Sequence, residues 1–299
     1  MTIKIANAPC SWGVDYFDDI KNPNWQKVFL EISQSGYSYS ELGPFGYLPN
    51  DSKMVNEFLK QIDLKIIGGF IFDNLHDSSE HLIIKNKILN TCKLLKSLGS
   101  KFFVIIDHIS FERMKTSGDQ KNSSKLNKIL HKDMTLFINE ISNICFEEFG
   151  LIPVLHPHAG TYIEYEFEID DLLNEIKSDY LGLCLDTAHL YYSSIDPYKA
   201  ILKYASKIQH MHLKDINQKV LENVYNNNID FDSAVNMQVF SPLGTGIIDF
   251  KKILDNLKLI NYDGYATIEQ DINPSEKLVP IEYAKKSLNY LNKILHSSL

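Results

Sequence analysis

Cysteine is scarce in this 299-residue chain and follows no pattern. Its four copies, Cys10, Cys92, Cys145 and Cys184, make no CxxC pair, so neither a zinc knuckle nor a disulfide framework is suggested. Cys92 and Cys145 fall inside helical patterns, where a buried thiol packs as a small hydrophobe. Cys10 stands beside a strand end and could line a pocket, but no neighbouring base marks it as a nucleophile. Basic residues are also short: 30 Lys and Arg against 38 Asp and Glu leave a formal net charge of −8. Without a basic stripe to neutralise phosphates, a nucleic-acid partner is disfavoured, and the acidic excess reads as solubility. No apolar run reaches the length of a membrane span, and residues 1–9 lack the charged-then-apolar layout of a signal peptide. The expectation is a cytoplasmic protein that binds neither membrane nor nucleic acid. Also missing are an internal repeat, a linker-like break in composition, and a GxGxxG turn after the first strand.

What is present is an alternation. Strand-like segments at residues 3–8, 37–42, 64–70, 102–106, 151–155, 181–185, 208–213 and 265–268 are separated by helical patterns. The helices fall at 25–35, 53–62, 79–98, 133–148, 169–176, 197–204, 250–257 and 281–294, with Gly36, Gly99 and Gly150 as stops. Eight strands each followed by a helix predict an α/β fold, a (β/α)₈ TIM barrel, as a single domain over residues 1–299. An open doubly wound sheet is weakened by the missing Gly-rich turn. Two stretches break the rhythm. Residues 110–126 are rich in Lys, Ser, Asn and Gln with little apolar patterning, the composition of a lid or a disordered loop. Residues 215–239 form a second long polar excursion.

The chemistry gathers at the carboxyl ends of the last four strands. The sixth strand runs Leu183-Cys-Leu and ends in Asp186 and His189. The fifth ends in His156-Pro-His158, the seventh in His210-Met-His212-Leu-Lys214-Asp215, and the eighth in Glu269-Gln-Asp271. In a barrel these ends share one rim, where active sites of this fold are built. Imidazoles and carboxylates together are the donors of Mn²⁺, Co²⁺, Fe²⁺ or Zn²⁺, and unlike an all-oxygen Ca²⁺ site. Side chains alternate along a strand, so His210 and His212 share a face, as do His156 and His158. Spacing therefore selects His156 or His158, with Asp186, His212 and Glu269, as a candidate metal set. A single strand-end His or Asp more often caps a helix or bonds a loop: Asp186-Thr187 could be an N-cap, and Lys214 with Asp215 a solvated pair. Four coincident strand ends are harder to explain that way.

These motifs are where a resemblance enters. His156-Pro-His-Ala-Gly-Thr161, Leu185-Asp-Thr-Ala-His-Leu190, His210-Met-His-Leu-Lys-Asp215, Pro242-Leu-Gly-Thr-Gly-Ile-Ile-Asp-Phe250 and Gly264-Tyr-Ala-Thr-Ile-Glu-Gln-Asp271 resemble the xylose isomerase-like barrel superfamily of sugar isomerases and epimerases, over nearly the whole chain. The His-Leu-Lys-Asp run, residues 229–234 and the closing Glu-Gln-Asp resemble its inosose dehydratase branch. The resemblance implies a divalent metal, Mn²⁺ or Co²⁺ before Zn²⁺ or Fe²⁺, held by His156, Asp186, His212 and Glu269. At the first of these positions the superfamily places a glutamate, and epimerases there move a proton between two opposed carboxylates. A histidine suits elimination better. The implied activity is therefore that of a lyase acting in inositol catabolism: metal-dependent dehydration of scyllo-inosose (2-keto-myo-inositol) to a trihydroxycyclohexane-1,2-dione. A ketose isomerase or epimerase on the same barrel is the alternative, and a non-catalytic sugar-binding barrel a more distant one. His158, His189, Lys214 and Glu269 are the catalytic candidates, and Trp12, Glu41 and Asp271 the substrate-binding ones, with Trp12 equally readable as core. The partner would be a cyclic polyol ketone or keto sugar, and self-association into a homo-oligomer is compatible with the fold.

Overall fold

In the computed structural model, which describes residues 3–272 and 279–297, eight parallel strands close into a barrel. These are β1 Lys4–Asn7, β2 Tyr39–Glu41, β3 Lys65–Asp73, β4 Phe102–Asp107, β5 Ile152–Leu155, β6 Gly182–Asp186, β7 Ile208–Leu213 and β10 Tyr265–Ile268, closed by pairing of β1 with β10. Two short strands, β8 Asp215–Ile216 and β9 Phe240–Ser241, form a separate antiparallel pair. Around the barrel lie α1 Trp25–Gln34, α2 Ser52–Gln61, α3 His81–Ser97, α5 Lys128–Glu147, α6 Glu166–Glu175, α8 Pro197–Lys203, α11 Phe250–Leu259 and α12 Pro280–Ser297. Short helices α4 Phe111–Thr116, α7 Thr187–Tyr192, α9 Gln218–Asn227 and α10 Phe231–Asn236 lie in the βα connections. Among the described residues no helix is long and apolar enough to cross a membrane.

Strand β4 shows why the chain folds this way. Phe-Phe-Val-Ile-Ile-Asp is β-branched and aromatic along its length, and every residue of it is buried. Phe103 and Ile105 join the large apolar layer under the helices, whereas Phe102, Val104 and Ile106 join a second cluster inside the barrel with Val154 and Cys184. The same period of two carries upward on every strand, so the residues that follow the core positions Val154, Cys184 and Thr267 at the top of the barrel are His156, Asp186 and Glu269. The site is thus the polar upper layer of the barrel interior.

Both irregular stretches carry helices, so residues 110–126 are not a disordered loop. Residues 110–126 contain α4, whose Ser110 Oγ accepts from the Arg113 amide. Arg113 has no exposed surface; it pairs with Glu164 at 3.4 Å and Glu168 at 2.6 Å. Glu164 also accepts from Ser117 Oγ and the amides of Gly118 and Gly160. The segment is bolted to the barrel through charge. The 215–239 excursion holds α9 and α10 and closes through Asp215, which is buried and accepts from the amides of Ile216, Gly244, Gly246 and Ile248. Gly246 must be glycine, because a Cβ would lie 2.2 Å from the Ile216 carbonyl and 2.3 Å from Asp215 Oδ1. Asp215, the first residue of β8, therefore anchors residues 244–248 through its buried carboxylate, and is not in a solvated pair with Lys214.

Candidate active site and metal centre

The strands that supply the candidate ligands are consecutive in the barrel, in the order β10, β7, β6, β5. Register brings them level: His212 pairs with Asp186 on one side and Thr267 on the other. The donor atoms of His156, Asp186, His212 and Glu269 all lie within 4.8 Å of one another, and the four residues are buried. His156 Nε2 is 3.9 Å from Asp186 Oδ2, and His212 Nδ1 is 3.0 Å from Glu269 Oε2.

Asp186 uses its two oxygens differently. Oδ1 accepts from the amides of Ala188 and His189, capping α7, so the N-cap reading of this residue holds. Oδ2 is buried and makes no hydrogen bond, and neither does His212 Nδ1. Buried polar atoms without a hydrogen bond cost free energy unless something completes them. Two imidazoles and two carboxylates match the N/O donor set of a first-row divalent cation, whose bonds of roughly 2.0–2.2 Å would draw these atoms together. The donor set fits such an ion.

Beside the quartet lies a second polar group. Lys214 is 1% exposed, and its Nζ donates to both oxygens of Asp271 at 2.8 and 2.7 Å. It lies 3.2 Å from His189 Nε2 and 3.4 Å from both Asp186 Oδ2 and Glu269 Oε2. Burial opposes its charge, but Asp186, Asp271 and Glu269 outweigh that and hold the ammonium charged well above its usual range. In return, although burial raises it, Lys214 holds the Asp271 carboxyl well below the usual range. His189 is pushed down foremost by burial, then by His158 and Lys214. Burial likewise lowers His158 to about 4. Both imidazoles are therefore neutral at pH 7. The His158 and His189 rings lie against each other with centroids 3.7 Å apart and planes tilted by 36°.

These groups open on a cavity of about 480 Å³ at the carboxyl ends of the strands. Every candidate residue named from the sequence lines it or lies in the buried cluster beneath it, with one exception. Trp12 is 3% exposed, donates from Nε1 to Glu31 Oε2 at 2.7 Å, and does not line the cavity. It is a core residue, held by the short 3₁₀ turn after β1. Glu41 reaches the cavity, but its Oε1 is taken by His210, His212 and Thr267. Cys10 lines the cavity with burial raising its thiol pKa well above normal, consistent with an unreactive thiol.

The cavity also has members that sequence reasoning missed. Asp15 follows the turn after β1, and burial, then Asp271, raises its pKa to about 7. Tyr16 Oη and His108 Nε2, 3.2 Å apart, bridge the mouth from the β1 and β4 sides, and Asp232 enters from α10. His108 had a strand-end position as its signal. Asp15 lies on a loop with no motif, and Asp232 falls within the 229–234 segment, where the resemblance marked the stretch but singled out no residue. The apolar part of the lining includes Phe70, Phe72, Ile106, Met114 and Phe231.

Comparison with known proteins agrees with this architecture. A family model described as xylose isomerase-like TIM barrel matches residues 29–294. An inosose dehydratase of Clostridium tetani is 28% identical over 298 residues, covering 97% of each chain. Among solved structures, the probable 3-DHS dehydratase AsbF of Bacillus anthracis superposes with a TM-score of 0.74 at 17% identity, covering 97% of this chain and 99% of that one. The IOLI protein, solved with a zinc atom, superposes at 0.73 and 17%, covering 99% of both. An L-ribulose 3-epimerase superposes at 0.72 and 15%, covering 99% of this chain and 95% of its own.

Proposed function

The chain belongs to the xylose isomerase-like TIM-barrel family, and from that premise we propose that it is a metal-dependent lyase that dehydrates scyllo-inosose to a trihydroxycyclohexane-1,2-dione. The observation that carries this reading is one cavity holding a buried His₂/carboxylate₂ quartet beside the Lys214–Asp271–His189 cluster. Full-length similarity to inosose dehydratases supports the substrate class. His156, Asp186, His212 and Glu269 would hold the ion, with Mn²⁺ or Co²⁺ the proposed occupant. A cation there polarises a ketone oxygen and stabilises the negative charge that develops when the adjacent C–H is broken.

The protein's own groups would do the rest. His158 Nδ1 is 2.8 Å from the Ala159 carbonyl, an acceptor, so the proton sits on Nδ1 and the Nε2 lone pair is free. A neutral imidazole with a free Nε2 at the cavity wall can take the proton next to the ketone. His189 Nε2 instead faces the Lys214 ammonium, which masks it as a base. Lys214, charged and held by Asp271, would donate a proton or hydrogen bond to the departing hydroxyl, with Glu269 Oε2 3.4 Å away. An inosose ring with equatorial hydroxyls presents axial C–H bonds on its faces, which suit the aromatic lining. The rim carboxyls Asp15 and Asp232 could read its hydroxyls.

A buried, neutral imidazole at position 156 favours elimination over epimerisation, since two-base proton exchange would want a second carboxylate there. The test is direct. The protein with Mn²⁺ or Co²⁺ and scyllo-inosose should produce an ultraviolet-absorbing enedione, and His212→Ala should abolish it. Conversion of a ketohexose with no new absorbance would replace this reading by the epimerase.

A further inference from the structure

The quartet uses one face of His212. Its other face is also committed. His210 and His212 both point into the barrel from β7, and their Nε2 atoms converge on a single oxygen, Glu41 Oε1, at 2.9 Å each. Thr267 Oγ1 lies 2.7 Å from the same oxygen. None of the four side chains' residues is more than 2% exposed, and Phe102 stacks on the His210 ring at 4.7 Å, so packing holds the group from below.

Counting protons settles how this group is built. A carboxylate oxygen only accepts, so each of its three contacts must bring a proton from the partner. The Thr267 hydroxyl supplies one, and each imidazole must then carry its proton on Nε2. The other nitrogen, Nδ1, is 3.0 Å from Glu269 Oε2 and turned toward the quartet, so a cation that takes the place of a proton there would meet the Nδ1 lone pair of a ring that keeps its proton on Nε2. Glu41, His210 and His212 could in principle clasp a cation themselves. However, separations of 2.9 Å to one shared oxygen are ordinary N–H···O lengths, and the threonine contact is an ordinary O–H···O length. A cation below would also take His212 away from the three donors above.

We propose that Glu41 is a positioning residue for the metal centre: by collecting the Nε2 protons of His210 and His212 on one oxygen, it presents Nδ1 of His212 to the cation. This rests on the quartet being the metal centre, and it replaces the substrate-binding role expected of Glu41 from sequence. A carboxylate behind a metal-bound histidine fixes the ring's tautomer and orientation, and losing such a partner typically costs 10–100-fold in metal affinity.

The test uses the ¹⁵N-labelled full chain loaded with Zn²⁺. In the wild type, His212 Nε2 should retain its proton while Nδ1 takes the shift of a metal-bound nitrogen. Zinc on Nε2 would overturn the proposal with no variant needed. Chelator competition should show Zn²⁺ affinity about 10–100-fold weaker in Glu41→Leu, which removes the acceptor at similar volume. Glu41→Gln, whose carbonyl still accepts, should recover most of that loss. Unchanged affinity in Glu41→Leu would also overturn it. The underlying metal-centre reading fails separately: a wild type that takes up no zinc, or zinc uptake indifferent to Asp186→Ala, would end it.

Discussion

Asp186 and Asp15 show how much one carboxyl can carry. Asp186 caps α7 with Oδ1 and faces the quartet with Oδ2, so its two roles can be separated by substitution. Asp186→Asn keeps a capping oxygen but removes the negative charge. Compared metal-free, it should leave stability within about 1 kcal/mol of wild type, while losing metal binding and turnover. Asp186→Ala should lose both the metal and about 1 kcal/mol of capping, read by urea unfolding and metal analysis. Asp15 makes a pH prediction. Burial first, then Asp271, raises its pKa from the ordinary 3.8 to about 7 in the folded protein. Between these values the native state keeps a proton that the unfolded chain has released, so stability falls as pH rises from about 4 to about 7. Asp15→Asn removes that slope. Its thermal midpoint should match wild type near pH 4 and exceed it at pH 8; equal midpoints at pH 8 would show that Asp15 titrates normally.

At the scale of elements, a buried ion-pair cluster pins the connection after β4, whereas the one after β7 combines the Asp215 hydrogen bonds with apolar packing of Leu221, Val224, Phe231, Ala234 and Val239. Arg113 fastens α4 to Glu164 and Glu168, and only Ser117, Ser193, Gly118 and Gly160 would remain to satisfy Glu164 without it. Arg113→Met should therefore cost about 3–5 kcal/mol, since it leaves a buried carboxylate unpaired, and urea unfolding would measure it. A loss near zero would mean that the segment is held by something other than this pair. The same physics explains what could be read in advance. The run Phe-Phe-Val-Ile-Ile announces β4 to within a residue, and the 79–98 pattern coincides closely with α3 His81–Ser97. Apolar periodicity carries that information locally. Residues 110–126 have little periodicity, and the partner that orders them stands some fifty positions away at Glu164. Asp215 is equally opaque, because its amide donors at Gly244, Gly246 and Ile248 meet it only after the chain has come back across α9 and α10.

For the molecule as a whole, the quartet was legible because barrel closure and alternation turn four distant sequence motifs into neighbours. Trp12 was not, since an aromatic beside a strand end looks the same whether it lines a cavity or packs on α1. Glu41 was legible as a barrel-interior residue, though its partnership with His210 and His212 depends on β2 facing β7 across the barrel. The same convergence has a global consequence. The candidate ligands come from β5, β6, β7 and β10, four adjacent strands of eight, so an ion held by them would tie half the barrel together. An ion that binds the native state and not the unfolded chain adds RT ln(1 + [M]/Kd), about 2.7 kcal/mol at a hundredfold excess over Kd. For a chain of this size that corresponds to a rise in thermal midpoint of roughly 4 °C. Chelator should reverse the rise, and Asp186→Asn should not show it. Local opening should respond unevenly as well: amides of β5, β6, β7 and β10 that exchange by opening around the site should slow on metal addition, while those of β2 and β3 that open locally should not. Equal slowing in locally opening amides on both halves, or a midpoint rise retained in Asp186→Asn, would put the ion elsewhere in the molecule.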